Sequence, residues 1–228
     1  MKITRILTAE EESEVQFVSL AAKIIKKVDI QKFINAAEIC NLPSHLKLIK
    51  NYDSDHVLIL TGNSVKMEEE MLVKVPLNQP ITLKQYNISK NIWPCKYFIK
   101  KEEKICLKYV YNTFEIPSTN MSKICSLFCI IRDENKVYQI EYDDNAILGH
   151  SIFKAIEKVS MMKVGYCCTN LDAFIYCEPC LSCCMAFVHG RIRRVFFIKN
   201  TDLGTFTKMK LCYNKNLNHR YNVYCIEL

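Results

Sequence analysis

The chain has 228 residues, half of them hydrophobic, with five glycines and six prolines. Those proportions exclude a disordered or collagen-like chain and leave room for one large domain or two small ones. The net charge is +7, from 31 Lys and Arg against 24 Asp and Glu, and no run approaches the roughly 18 apolar residues of a membrane helix.

The N-terminal stretch turns acidic at Glu10-Glu11-Glu12, unlike a secretory signal. The expectation is an intracellular protein without a membrane span. Thirteen cysteines, an odd number in a reducing compartment, read as free thiols or metal ligands, not as a disulfide framework.

In chain order, residues 15–25 are apolar and fit either a strand or a helix. Asp29 stands where it would cap a helix over 30–39, which ends ahead of Asn41-Leu42-Pro43. Residues 45–50 and 56–61 have strand patterns around a turn at 51–55. Short mixed elements with scattered lysines make residues 1–95 a small α+β, ferredoxin-like domain. The boundary lies near 94–104, where Trp93-Pro94-Cys95 is followed by a charged run at 100–104, and the domain is closed at 95.

Beyond it, residues 102–114 have helical spacing. A strand is expected over 125–131, a turn at Asp133-Glu134-Asn135, and a returning strand over 137–142. A helix follows from 150 to 159, then a strand over 172–177. The next helix covers 180–189, with Gly190 as its stop, and strands at 194–198 and 221–226 close the order. Helices alternating with strands predict a layered α/β domain with a mixed sheet over 96–228.

The informative segment is Glu178-Pro179-Cys180-Leu181-Ser182-Cys183. A Pro-Cys-x-x-Cys step at a strand-to-helix junction places two thiols on the first turn of a helix. The positive end of the helix dipole favours the thiolate that zinc binds. His150, after Gly149, opens another predicted helix. One imidazole and two thiolates, with a fourth position open, is the ligand set of a catalytic zinc site. His150, Cys180 and Cys183 are therefore the candidate ligands of one zinc ion. Cys184 would sit one residue further round the helix and is read as core, and Cys177 lies in the preceding strand.

A His-x-Glu step followed by Pro-Cys-x-x-Cys marks the zinc deaminases of cytosine and adenine. This chain is similar to them, but reads His150-Ser151-Ile152. Isoleucine stands where those enzymes have a proton-shuttling glutamate, and it has no ionisable atom. Losing a positioned acid–base group typically costs about 100- to 10,000-fold in rate. Glu157 lies about 10 Å further along the predicted helix, too far to substitute. Glu178, beside the cysteines in sequence, stays open as a replacement.

The chain resembles one family that shows this departure: the non-catalytic subunit, subunit 3, of the heterodimeric eukaryotic tRNA adenosine deaminase. The residues that carry the likeness beyond the metal motif are Tyr166-Cys167-Cys168-Thr169, the segment Met185-Ala186-Phe187-Val188-His189-Gly190-Arg191-Ile192-Arg193-Arg194-Val195-Phe196, and Leu217-Asn218-His219-Arg220-Tyr221. Gln79-Pro80-Ile81-Thr82 and Trp93-Pro94 extend it into the N-terminal part. Three features depart from the family: a short helix ahead of the first deaminase strand, a compact loop before His150, and Gly149 where proline is common.

The resemblance implies a three-layer cytidine-deaminase-like domain, a mixed sheet flanked by helices, behind the small α+β domain. It implies a subunit that holds zinc, binds tRNA and pairs with the catalytic subunit 2, in the nucleus and cytoplasm, without performing the wobble adenosine-to-inosine reaction itself. Candidate RNA contacts are Lys23, Lys26, Lys27, Lys47 and Lys50, and Arg191, Arg193, Arg194, Lys208 and Lys210. The second group sits in a stretch with only Asp202 and Glu227 as acids, interleaved with aromatics, which suits a nucleic acid partner as well as a solvated surface. For the partner subunit the candidate faces are Phe153, Ile156 and Val159, and Met185, Phe187 and Val188, with core packing as the plain reading. Two other functions fit the same residues: a self-sufficient cytidine- or deoxycytidylate-type deaminase, and a zinc-stabilised RNA-binding protein.

Overall fold

A computed structural model describes residues 2–36, 42–62, 70–99, 103–114, 125–144, 146–163 and 165–227. Its elements are β1 (Lys2–Arg5), α1 (Ala9–Glu12), β2 (Phe17–Lys26), α2 (Ile30–Ala36), β3 (Ile49–Asn51), β4 (His56–Gly62), β5 (Glu70–Pro76), α3 (Leu83–Ile92), α4 (Leu107–Phe114), β6 (Phe128–Arg132), β7 (Val137–Tyr142), α5 (Ser151–Met161), β8 (Asp172–Cys177), α6 (Leu181–His189), β9 (Arg194–Lys199) and β10 (Asn222–Glu227). Among the described residues no helix is long and apolar enough to cross a membrane.

The chain divides into two compact units, Ala9–Glu102 and Met1–Thr8 with Glu103–Leu228. The sequence placed one boundary between 95 and 96 and left the first residues in the N-terminal domain. The division falls between 102 and 103, because Cys95 bridges to Leu46 and the Lys96 amide donates to the His45 carbonyl at 2.7 Å. β1 belongs to the second unit because it pairs antiparallel with β10, Lys2 opposite Glu227 and Arg5 opposite Tyr224.

The Ala9–Glu102 unit is built on an antiparallel sheet in the order β3-β4-β2-β5. The apolar run at 15–25 resolves as a strand, β2, with Leu20 and Ala22 turned into a core shared with Leu58, Leu60, Val75 and Trp93. The order is that of a ferredoxin-like sheet, which carries a helix between its third and fourth strands. Here α3 follows the fourth strand; residues 63–69, between β4 and β5, lie outside the described residues. Asp29 closes a 3-10 turn that runs straight into α2; the expected helix end at 37–39 is outside the described residues. The strand expected over 45–50 shrinks to β3, because His45 and Leu46 pair instead with the 95–96 segment. Asp53 makes the predicted turn, accepting from the amides of Asp55 (2.8 Å) and His56 (2.7 Å). Sequence reading missed β5 and α3. The signal for α3 was present: Thr82 and Gln85 form a capping box.

The second unit has three layers. Its sheet runs β1-β10-β9-β8-β6-β7. β8, β9 and β10 are parallel neighbours, and β6, β7 and β1 join antiparallel. Alternation along each strand supplies both faces. Phe128, Ile130, Phe174, Phe196 and Tyr224 cluster on one side with Val110 of α4. Cys129, Ile131, Ile175, Val195 and Phe197 face the other side with Ile152, Ala155 and Val159 of α5 and Cys183, Cys184 and Phe187 of α6. A mixed sheet between helical layers is the architecture expected of this part of the chain. α4 starts later than the sequence spacing predicted, at Leu107.

Candidate metal centre

His150 and Cys180 are the residues that precede α5 and α6, each in extended backbone (φ −70°, ψ 126° and φ −70°, ψ 168°). Both helices leave the ends of sheet strands and pack on the same face, so their N-termini converge. Cys183 lies one turn into α6, fully buried. His150 Nδ1 is 3.2 Å from Cys183 Sγ and 3.6 Å from Cys180 Sγ. Cys125 joins them: the four ligand atoms of Cys125, His150, Cys180 and Cys183 all lie within 4.8 Å of one another. Bonds of about 2.1–2.3 Å in a tetrahedron place ligand atoms about 3.6–3.8 Å apart, so the cluster has the size a zinc ion needs.

Cys125 was missed because nothing local points to it. It lies far upstream of His150, and the cysteine closest to it in sequence, Cys129, is a core residue of β6. Antiparallel pairing of β6 with β8 brings the residues before β6 to the end of β8, where α6 begins. The Ser126 carbonyl accepts from the Tyr176 amide at 3.2 Å. A buried carboxylate completes the placement. Asp143 Oδ2 accepts from the amides of Cys125 (2.7 Å) and Leu127 (3.0 Å), and its Oδ1 from the amide of Ser151 (2.8 Å). One side chain thus ties the Cys125 segment to the start of α5. Leu127 takes a left-handed conformation, φ 68°, a strained setting of the kind surrounding structure must hold in place.

The donor set itself asks for a cation. The hydrogen bonds from Cys125 and Cys183 hold the Cys180 thiol far below its ordinary range. In return, the bond to Cys180 pushes Cys125 up to about 12, and bonds to Cys125 and Cys180, with burial, push Cys183 well up. Three sulfurs so close together oppose one another's ionisation, and a dication would allow all three to ionise.

The competing cysteines are elsewhere. Cys184 Sγ is 3.1 Å from the Tyr221 hydroxyl in the core, and Cys177 stays within β8. Neither candidate carboxylate reaches the cluster. Glu157 is exposed. Glu178 is buried, but its Oε2 accepts from the Thr201 amide (2.9 Å) and its Oε1 from the amides of Phe206 (3.2 Å) and Thr207 (2.8 Å). It fastens the loop after β9. Ile152, where the deaminases carry glutamate, has no exposed surface and packs between α5 and the sheet.

The proposed basic contacts divide by environment. Arg194 is 3% exposed, and its guanidinium binds Asp172 and Glu103. Arg193 grips the same Asp172 at 3.0 and 2.9 Å. The Arg-x-Arg-Arg run looked like a basic patch in sequence; at the head of β9, two of its members instead serve a fully buried aspartate. Arg191, φ 55°, lies over the Tyr166 ring. Lys27 donates to the carbonyls of Asp53 and Ser54, and Lys50 to that of Ile92. Lys208 donates to the Asp202 carbonyl. Lys26, Lys47 and Lys208 are exposed, while Lys23 and Lys210 are partly buried. The proposed partner faces divide too: Val159, Phe187 and Val188 are core, whereas Phe153 and Met185 line an open groove of about 510 Å³ with Leu181, Ala186, His189 and Leu211.

No protein-family model matches the chain. The zebrafish (Danio rerio) "Probable inactive tRNA-specific adenosine deaminase-like protein 3" is 24% identical over 211 residues, 71% of this chain and 63% of that protein. The fission yeast (Schizosaccharomyces pombe) "tRNA-specific adenosine deaminase subunit tad3" is 24% identical over 67% of this chain and 58% of its own length. The Arabidopsis thaliana "tRNA-specific adenosine deaminase TAD3" is 42% identical over 69 residues, 29% of this chain and 17% of that one. This chain resembles subunit 3 of the tRNA-specific adenosine deaminases. It spans less than two thirds of the length of these relatives. A solved wobble-position tRNA deaminase superposes with a TM-score of 0.39 at 17% identity, over 43% of this chain and 81% of that one. A deoxycytidylate deaminase of the cyanophage S-TIM5 gives 0.34 at 10% identity, over 51% and 90%. Within the second unit, the motifs that carry the likeness outside the metal cluster pack around α6. The Cys168 amide donates to the Gly190 carbonyl at 2.8 Å, Tyr221 donates to the Cys184 carbonyl at 3.1 Å, and His219 Nε2 lies 2.7 Å from the Ile192 carbonyl.

Proposed function

We propose that this chain is the catalytically silent, zinc-holding and tRNA-binding subunit of a heterodimer that converts wobble adenosine to inosine in tRNA. One observation carries the reading: a four-residue Cys/His cluster stands complete while the position of the glutamate is filled by Ile152, buried in the core. Deamination requires protons to be moved among water, base and leaving amine by a positioned acid–base group. Ile152 has none to move, and Glu178 is committed to backbone amides. Zinc, when bound, joins the segments that begin β6, α5 and α6 and adds its binding energy to folding.

The groove lined by Phe153, Leu181 and Met185 is the proposed seat of the catalytic partner, since it leaves apolar side chains open between α5 and α6. Lys26, Lys47 and Lys208 are the proposed phosphate contacts, with Arg193 and Arg194 removed from that set by their bonds to Asp172. The test uses a tRNA with adenosine at the wobble position. The purified chain should yield no inosine alone, and inosine should form once a His-x-Glu deaminase subunit is added. Inosine produced by this chain without a partner would overturn the proposal.

A further inference from the structure

We propose that the metal centre is closed: Cys125 is a fourth protein ligand, and the set of one histidine and three cysteines leaves no coordination position for water. The inference rests on the reading that the cluster holds zinc, and it concerns what occupies the position that a catalytic deaminase keeps open. Catalytic zinc sites have three protein ligands and an open fourth position; structural sites have four.

Three independent features place Cys125 as a ligand. Its sulfur lies in the same 4.8 Å group as those of Cys180 and Cys183 and the His150 nitrogen. The Cys180 amide, at the head of α6, donates to Cys125 Sγ at 3.1 Å, the kind of outer hydrogen bond that orients a sulfur toward a metal. Its segment is held by Asp143 through the Cys125 and Leu127 amides, and the hydroxyl of the adjacent Ser126 lies 3.0 Å from that of Ser151. Asp143 also holds the amide of Ser151, next to His150, so one carboxylate sets the spacing between two ligand-bearing segments. A sulfur anchored in this way is built into the site.

The consequence differs from that of Ile152. Replacing a missing acid–base group would not restore turnover at a metal with no vacant position. A closed centre serves to fasten the heads of α5 and α6 to the start of β6.

X-ray absorption on the purified, zinc-loaded full chain tests this directly. The expected sphere is three sulfurs near 2.3 Å and one nitrogen near 2.0–2.1 Å. Cys125→Ser should reduce the sphere to two sulfurs and speed zinc loss to a chelator by about 10-fold or more. Two sulfurs with one nitrogen and an additional light atom in the unmodified chain would overturn the closed site and leave the proposed subunit role standing. A chain that retains no zinc at all would sink both. If Cys125→Ser fails to fold, the sulfur count of the unmodified chain still decides.

Discussion

Ile152 occupies the place where the zinc deaminases carry their glutamate, and its surroundings are apolar. It packs with Ala155, Val159 and the sheet residues Cys129 and Ile131, without exposed surface. Ile152→Glu should therefore add no activity, and it should destabilise the chain by about 3–5 kcal/mol through an uncompensated buried charge; denaturant titration with an inosine assay reads both. Asp143 acts oppositely, as a buried polar group that is fully used. Asp143→Asn would turn an amide group against backbone N–H donors on one side, stranding at least one at about 1–3 kcal/mol. Zinc retention against a chelator should fall with it by about 10- to 100-fold, as for other outer-sphere partners. A loss of stability without any change in zinc retention would show that Asp143 shapes the loop and not the cluster.

At the scale of elements, α6 is held at both ends. Cys180 begins it and Gly190 ends it, but not in the way the sequence implied. Gly190 keeps a right-handed conformation (φ −71°, ψ −8°), and the left-handed step falls on Arg191. Glycine is needed at 190 for closeness: a Cβ there would stand 3.0 Å from Ile156 Cγ2 and 3.2 Å from the Ala186 carbonyl. Gly190→Ala should press α6 away from α5 and cost about 1–3 kcal/mol, read as a lowered unfolding midpoint. Ile156→Ala in the same chain removes the Cγ2 methyl that a Cβ at 190 would meet, so the two substitutions together should cost less than the sum of their separate losses. The same closeness explains why Ile156, expected on the partner face, is spent within the fold.

For the whole molecule, the two units have separate cores and only one contains the cluster. Zinc removal should therefore act unevenly. Hydrogen exchange on the chelated chain should show lost protection around 125–127 and at the heads of α5 and α6, while β2 and β4 keep theirs; uniform loss across both units would contradict a local structural role for the metal. By itself, the sequence determined the elements with strong periodicity, including the bounds of β7 and β8. It also picked out three members of the Cys/His cluster, His150, Cys180 and Cys183, and the isoleucine at 152, because spacing along a helix start is a local property. The tertiary structure alone decided the rest. Cys125 reaches the cluster only through the antiparallel register of β6 on β8. β1 finds its unit only through β10, at the opposite end of the chain. Arg194 leaves the surface, and Arg193 is held half-buried beside it, only because Asp172, far upstream in the chain, lies buried next to them. Each is a contact between residues distant in sequence, and local spacing carries no information about such contacts.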